Sequence, residues 1–287
     1  MHHLNTTINW KKILTILTPH ILPERYARLQ RQLSCRLADT ALVLENLDDE
    51  MNAHACLRTA EAFGIQFVHL ISSSDVLRET QKVHKGANKW LTVSHHKDVT
   101  TCISLLKRNN FLIAASDIGS LSIDAIGAAR STVYNGNNSN GDIINKTRPR
   151  VAIVMGNEHR GCSKKIIDAS DIRFYLPQTG FSQSLNVSVA TGLSLHVFLN
   201  RTPDYHQLAI QAHKMRLSDK EIVSMSSSMN HLENTTNPSF PCVEHLSKQM
   251  IDEIIAKVLI KSLPTANAIL TRAGCVVPII TNDEINL

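Results

Sequence analysis

Leu176 to Leu195 reads LPQTGFSQSLNVSVATGLSL, and its reading decides the fold. It opens on the end of an apolar run (Ile172, Phe174, Leu176) and breaks at Pro177 and Gly180. It then sets Ser182, Gln183, Ser184 and Asn186 ahead of a helical pattern. Leu185, Val189 and Leu193 recur every fourth residue, and small Ala190, Gly192 and Ser194 let another backbone come close. This is a strand, a turn and a helix. Ser184 or Asn186 can cap that helix, but four polar residues in five positions exceed what one cap needs. In open α/β sheets, ligands sit beyond the carboxyl ends of strands at such turns.

Outward from this stretch, the 287-residue chain is long enough for one α/β domain with terminal additions. Its formal charge of +5 permits a polyanionic partner without requiring one. Lys11, Lys12, Arg25, Arg28, Arg31 and Arg36 face only Glu24 in their segment, which suits either a helix along a phosphate backbone or a solvated helix face. Cysteines at 35, 56, 102, 162, 242 and 275 form no Cys-x-x-Cys pair and have no matching His pairs. Neither a zinc site nor a disulfide framework is expected, which points to a reducing compartment. His54, His95, His96 and His159 have no metal-ligand spacing, so no metal is expected. No apolar run approaches the roughly 18 residues of a membrane span. Residues 1–23 carry no acid, which suits an ordinary first helix or a mitochondrial or plastid transit segment; the cytoplasm is the primary expectation.

The chain alternates strand and helix. A helix is expected around Pro23 to Arg36, a buried strand over Ala41 to Leu44, a helix from Asp48 to Gly64 and a strand over Ile65 to Ile71. Lys89 to Val93 and Phe111 to Ala115 read as strands flanking a helix around Val99 to Arg108. Residues 117–148 read as a surface insertion, with YNGNNSNGD at its centre. A strand over Val151 to Met155 runs into GNEHRG, followed by a helix from Ser163 and the strand through Phe174. Beyond Arg201 come polar helix, a Ser, Asn and Pro-rich linker from Ser224 to Pro241, and an amphipathic helix from Val243 to Leu263. Met250, Ile251, Ile254, Ile255, Val258 and Leu259 suit it to the main domain or to a second subunit. The expected division is a basic helical arm (1–38), a central domain (39–201) and a helical extension (202–287).

Three stretches, NAHACLRT (Asn52 to Thr59), MGNEHRG (Met155 to Gly161) and QSLNVSVA (Gln183 to Ala190), resemble in order and separation the signature motifs of one family. It is the SpoU branch of the SPOUT RNA 2'-O-ribose methyltransferases. RYAR at Arg25 to Arg28, LEN at Leu44 to Asn46 and GANKW at Gly86 to Trp90 make the likeness greatest to the TrmH type, which methylates guanosine-18 of tRNA. The resemblance implies a doubly wound, mostly parallel sheet with a C-terminal deep trefoil knot, a homodimer, and S-adenosylmethionine as cofactor. Carried over as cofactor contacts are Met155, Gly156, Leu176, Gly180, Ser184 and Leu185. Carried over as catalytic are Arg58, Asn52, Glu158, Ser184 and Asn186, while Arg25, Arg28, Arg31, Arg36 and Lys89 are candidates for RNA contact.

Methyl transfer to a ribose 2'-hydroxyl is an in-line displacement in which positioning supplies roughly 7–11 kcal/mol. A guanidinium is a poor proton acceptor, so Arg58 suits phosphate binding and alkoxide stabilisation better than base action. A surface ion pair with Glu61 is its bland alternative. His54 and Cys56 in the first motif, Thr179 in the cofactor loop, and the insertion depart from the family wording. Ribosomal RNA is the alternative substrate, and an RNA-binding protein without catalysis the alternative class. No Gly-x-Gly-x-x-Gly follows a strand to support an oxidoreductase.

Overall fold

The computed structural model describes residues 8–72, 90–122, 149–182, 184–200, 205–214, 245–275 and 277–278. Its centre is a six-stranded sheet in which every neighbouring pair is parallel. The strands are β1 (Leu37–Glu45), β2 (Ile65–Ile71), β3 (Thr92–His96), β4 (Phe111–Ser122), β5 (Arg150–Met155) and β6 (Ile172–Tyr175), in the order β3-β2-β1-β5-β4-β6. β1 and β2 are buried throughout, as strands covered on both faces must be.

The strand alternation sorts side chains into two cores. Leu42, Leu44, Val68, Leu70 and Ile153 pack under α3 (Glu50–Ala62) and a helix over Val187–Asn200. Ala41, Val43, Phe67, Ile71 and Val154 face the other layer. That layer holds α1 (Trp10–Leu17), α2 (Pro23–Ser34), α4 (Val99–Arg108), α5 (Lys164–Ala169) and the C-terminal helices. With the Val187–Asn200 helix as α6, the remainder are α7 (Tyr205–Lys214), α8 (Lys248–Ser262) and α9 (Ala266–Arg272). Caps start the helices where the sequence offers them: Asp49 Oδ1 accepts from Met51 N, Asp98 Oδ1 from Thr101 N and Ser247 Oγ from Met250 N.

Several expectations shift. β4 continues seven residues beyond Ala115, pairing with β6 again at Leu121 and Ser122, so the start of the expected insertion belongs to the sheet. β3 begins at Thr92 rather than Lys89, and Lys89 and the linker at 224–241 lie outside the described residues. Trp10–Leu17 is an ordinary first helix, with Ile13, Leu14 and Leu17 buried. It packs on α8, whose Ile254, Ile255, Val258 and Leu259 are thereby covered within the chain. The helix that Leu185, Val189 and Leu193 announced is present as α6, but that row, beginning just ahead of the helix, is 36 %, 50 % and 44 % exposed. Val187, Thr191, Leu195 and Phe198 are the buried row instead.

On the α4 side of the sheet, His69 and His96 meet as a buried pair, Nδ1 to Nε2 at 2.9 Å. Burial and the neighbouring His96 push the His69 pKa down to about 3, so its ring is neutral. No single helix among the described residues is long and apolar enough to cross a membrane.

Candidate active site

β5 lies between β1 and β4, so the chain leaves it at the carboxyl edge where the sheet changes winding direction. The turn that follows is closed on itself: Asn157 N donates to Gly161 O at 3.0 Å and Gly161 N to Asn157 O at 2.9 Å. A Cβ on Gly156 would lie 2.1 Å from Cys162 N and 2.2 Å from Gly161 C, so only glycine fits that close approach. Gly161 itself holds φ +68°, in the left-handed region. Asn157 fastens the turn, since its Oδ1 accepts from the His159 and Arg160 N–H groups while its Nδ2 donates to Asn46 O. Asn157 escaped the sequence reading; its place at the head of a turn, where Asn side chains bond backbone two residues on, is the signal that could have found it.

One hydrogen-bond chain joins the three motifs. Asn186 Nδ2 donates to Asn52 Oδ1 at 2.9 Å, and Asn52 Nδ2 donates to Glu158 Oε1 at 2.9 Å. Glu158 Oε2 accepts from Asp48 N at 3.1 Å, and Asn186 Oδ1 accepts from Ser188 N at 2.9 Å. The carboxylate fixes every amide orientation, because a carboxylate accepts only. Asn52 must then turn its oxygen to Asn186, which leaves the Asn186 oxygen to cap α6. Capping and site residue are the same side chain. Burial raises the Glu158 pKa, but the Asn52 amide and the N–H groups of Asp48, Glu158 and Asp49 outweigh it and hold the carboxyl below its ordinary value. With both oxygens engaged, Glu158 positions Asn52 and serves poorly as a base.

Beside this chain opens a cavity of about 560 Å³ between the 156–161 turn, the end of β4 and the 176–185 segment. Met155, Gly156, Leu176, Gly180, Ser184 and Leu185, the six expected cofactor contacts, all line it, as does Glu158. Apolar Phe174, Val187 and Ala190 share the lining with Ser194, whose Oγ is buried without a hydrogen-bond partner. A volume within the roughly 300–1,000 Å³ of ligand pockets, apolar walls and an orphaned hydroxyl fit a small molecule with both apolar and polar parts. Cys162 is a filler there: burial, partly offset by Ser116, pushes its thiol up to about 12, far from thiolate. Cys56 is buried against Thr191 Oγ1 at 3.4 Å, tying α3 to α6.

The structure does not bring Arg58 into this cluster. It is exposed on α3, lines no part of the cavity, and among the described residues makes no hydrogen bond or ion pair. Glu61, its expected surface partner, bonds Arg36 instead. That removes Arg36 from the RNA-contact set: it is buried, ion-paired with Glu61, and its Nη1 donates to Glu61 O and Ile65 O at 3.2 Å. The cause is the end of α2 at Ser34, which directs Arg36 into the sheet edge rather than along the helix face. Arg25 is half-buried and donates to Ser262 Oγ at 2.9 Å, whereas Arg28 and Arg31 are exposed on α2.

Residues 39–196 match the SpoU rRNA Methylase family, and the chain belongs to it. Its class is therefore that of the RNA 2'-O-ribose methyltransferases. Among similar proteins is a tRNA (guanosine(18)-2'-O)-methyltransferase of Borreliella burgdorferi, 29 % identical over 230 residues, which span 79 % of this chain and 97 % of that one. The protein of that name from Escherichia coli K12 is 30 % identical over 174 residues, 61 % of this chain and 69 % of its own. The crystal structure of the A. aeolicus TrmH/SpoU tRNA modifying enzyme shares the fold at TM-score 0.52 and 22 % identity, covering 84 % of this chain and 97 % of that one.

Proposed function

We propose that this protein transfers a methyl group from S-adenosylmethionine to the ribose 2'-hydroxyl of guanosine-18 in the tRNA D-loop. The observation that carries the proposal is the Asn186–Asn52–Glu158 chain, which unites all three motifs at the lip of the 560 Å³ cavity. The names of the Borreliella and Escherichia coli relatives support tRNA as the RNA. S-adenosylmethionine, when bound, supplies a methyl group activated by its sulfonium. Met155, Gly156, Leu176, Gly180, Ser184 and Leu185 would hold it, with Ser194 Oγ available to a polar atom at the cavity floor.

The chain's own groups then have limited chemistry to do. Asn52 and Asn186, held by Glu158 and the α6 cap, fix the ribose against the methyl, where orientation supplies most of the acceleration. Arg58 binds phosphate and stabilises the developing alkoxide, and the proton passes to water. Its distance from the cavity makes sense in a homodimer, in which Arg58 of one protomer completes the site of its partner.

The exposed row on α6 supports that assembly. An α-helix that is apolar nearly all round, VSVATGLSLHVFLN, is normally buried on all sides, yet Val189 and Leu193 face outward here. α8, by contrast, has its apolar face covered by α1 and is not needed for a dimer. The C-terminal deep knot stays part of the proposal, and the insertion of β5 between earlier strands is compatible with it. Exposed Arg28 and Arg31, with Arg25 and Lys89, are proposed to hold RNA backbone.

Calorimetric binding of S-adenosylmethionine, then transfer of its labelled methyl to unmodified tRNA with ribosomal RNA in parallel, tests the function. Label in tRNA is expected; label only in ribosomal RNA moves the substrate, and cofactor binding without transfer points to a binding protein. Val189→Asp should convert dimer to monomer in sedimentation and abolish transfer; a dimer unchanged by it contradicts the α6 interface.

A further inference from the structure

No metal-ligand spacing exists in the sequence, but folding brings three suitable side chains together. His69 comes from β2, His96 from β3 and Cys102 from α4. All three are buried, and one ligand atom of each lies within 4.8 Å of the others. The register explains the convergence. Glu45 on β1 pairs with Ile71 on β2, and Ile71 with His96 on β3. Glu45 and His96 thus share one cross-strand row and one face, and His69, two residues before Ile71, points to that face as well. α4 closes over it and supplies Cys102.

As a purely structural pair the histidines are poorly served. His69 Nδ1 and His96 Nε2 face each other, so one proton serves both nitrogens. On the far side of the ring, His69 Nε2 is buried with no hydrogen-bond partner. Glu45 Oε1, on the same face, is also buried without a partner. A buried ring nitrogen without a partner, on a residue clustered with a second imidazole and a buried thiol, is costly unless something else bonds there.

We propose that His69, His96 and Cys102 bind a borderline-soft divalent cation of the Zn2+ class, with a water in the fourth position. Two imidazoles and a thiol select such a cation over Mg2+ or Ca2+, which take oxygen ligands. Metal–nitrogen bonds of about 2.0–2.1 Å and metal–sulfur bonds of about 2.3 Å set tetrahedral ligand atoms roughly 3.3–3.8 Å apart. A cluster within 4.8 Å reaches that spacing by small side-chain rotations. The cation's charge offsets burial of the thiolate. Its role is structural: it ties β3, which among the described strands pairs only with β2, to β2 and α4. The site lies apart from the 560 Å³ cavity and stands independently of the methyl-transfer reading.

The test uses the full chain, stripped with chelator and titrated with Co2+ and, separately, Zn2+. Co2+ should develop a thiolate charge-transfer band at one equivalent, and Zn2+ should suppress it and raise the melting temperature by several degrees. That band requires sulfur, so His2 and His3 at the N-terminus cannot mimic it. Cys102→Ala, a small apolar replacement for a buried thiol, should fold, lose the band and lose the Zn2+-dependent rise in melting temperature. Should Cys102→Ala not fold, His96→Asn should weaken Co2+ binding at least tenfold. Absence of the band in the wild type, or its persistence unchanged in the folded variant, overturns the proposal.

Discussion

Two regions flanking α3 place an arginine near the same carboxylate and use it in opposite ways. At the α2–β1 junction, Arg36 is buried, takes Glu61 and donates to two carbonyls, so every feature of it is structural. On the exposed side of α3, Arg58 lies three residues from Glu61 yet leaves it alone, and among the described residues it makes no hydrogen bond or ion pair. The difference teaches how to read a cation. A buried guanidinium paired with a carboxylate and two carbonyls holds the fold together, and one exposed on a helix with no described partner is available to another molecule.

The largest expected effect is that of Arg58→Ala. Methyl transfer should fall by about 10²–10³ or more, as for loss of one oxyanion donor, with melting temperature and cofactor binding kept. Wild-type turnover in that variant would erase the contrast. Next comes Arg36→Met, which leaves Glu61 without its cation and takes the Nη1 donor from the Glu61 and Ile65 carbonyls. Unfolding in urea should show a loss on the order of 3 kcal/mol, with activity per folded molecule unchanged. If instead tRNA affinity falls while stability holds, Arg36 is an RNA contact after all.

Asn52→Ala sharpens the comparison by breaking the chain at its centre. Turnover should drop about tenfold, near 1.4 kcal/mol, and Asn186→Ala should add little to it because both lie in one network. Fully additive rates would show two independent roles. The smallest effect is acidic. The Glu158 carboxyl is held below its ordinary value, so its stabilising contribution is complete above the ordinary range and lost as pH falls through the lowered pKa. Its partial exposure limits this to a few tenths of a kcal/mol. Melting of wild type and Glu158→Gln should therefore differ at neutral pH and converge in acid; a constant gap would mean the carboxylate charge is irrelevant.

The sheet was largely legible, because buried parallel strands write themselves as unbroken apolar runs such as Ala41 to Leu44 and Ile65 to Ile71. That a site lies at the turn after β6 was legible in its polar residues, while the six cavity-lining contacts came from the resemblance of the motifs to the family. What sequence could not supply was orientation. Four-residue spacing found the apolar row Leu185, Val189 and Leu193, but spacing alone does not tell a core face from a face left for another chain. Charge density likewise grouped Arg36 with Arg28 and Arg31, since the turn after Ser34 that buries it leaves no compositional trace. The meeting of His69, His96 and Cys102 depends on strand register, which no local pattern carries.

The most direct measurement is nucleoside mapping of unmodified tRNA after incubation with label-bearing S-adenosylmethionine and either the wild type or Arg58→Ala. The account predicts labelled 2'-O-methylguanosine at position 18 with the wild type and almost none with the variant. Label in a base, or equal ribose label from both proteins, would contradict it.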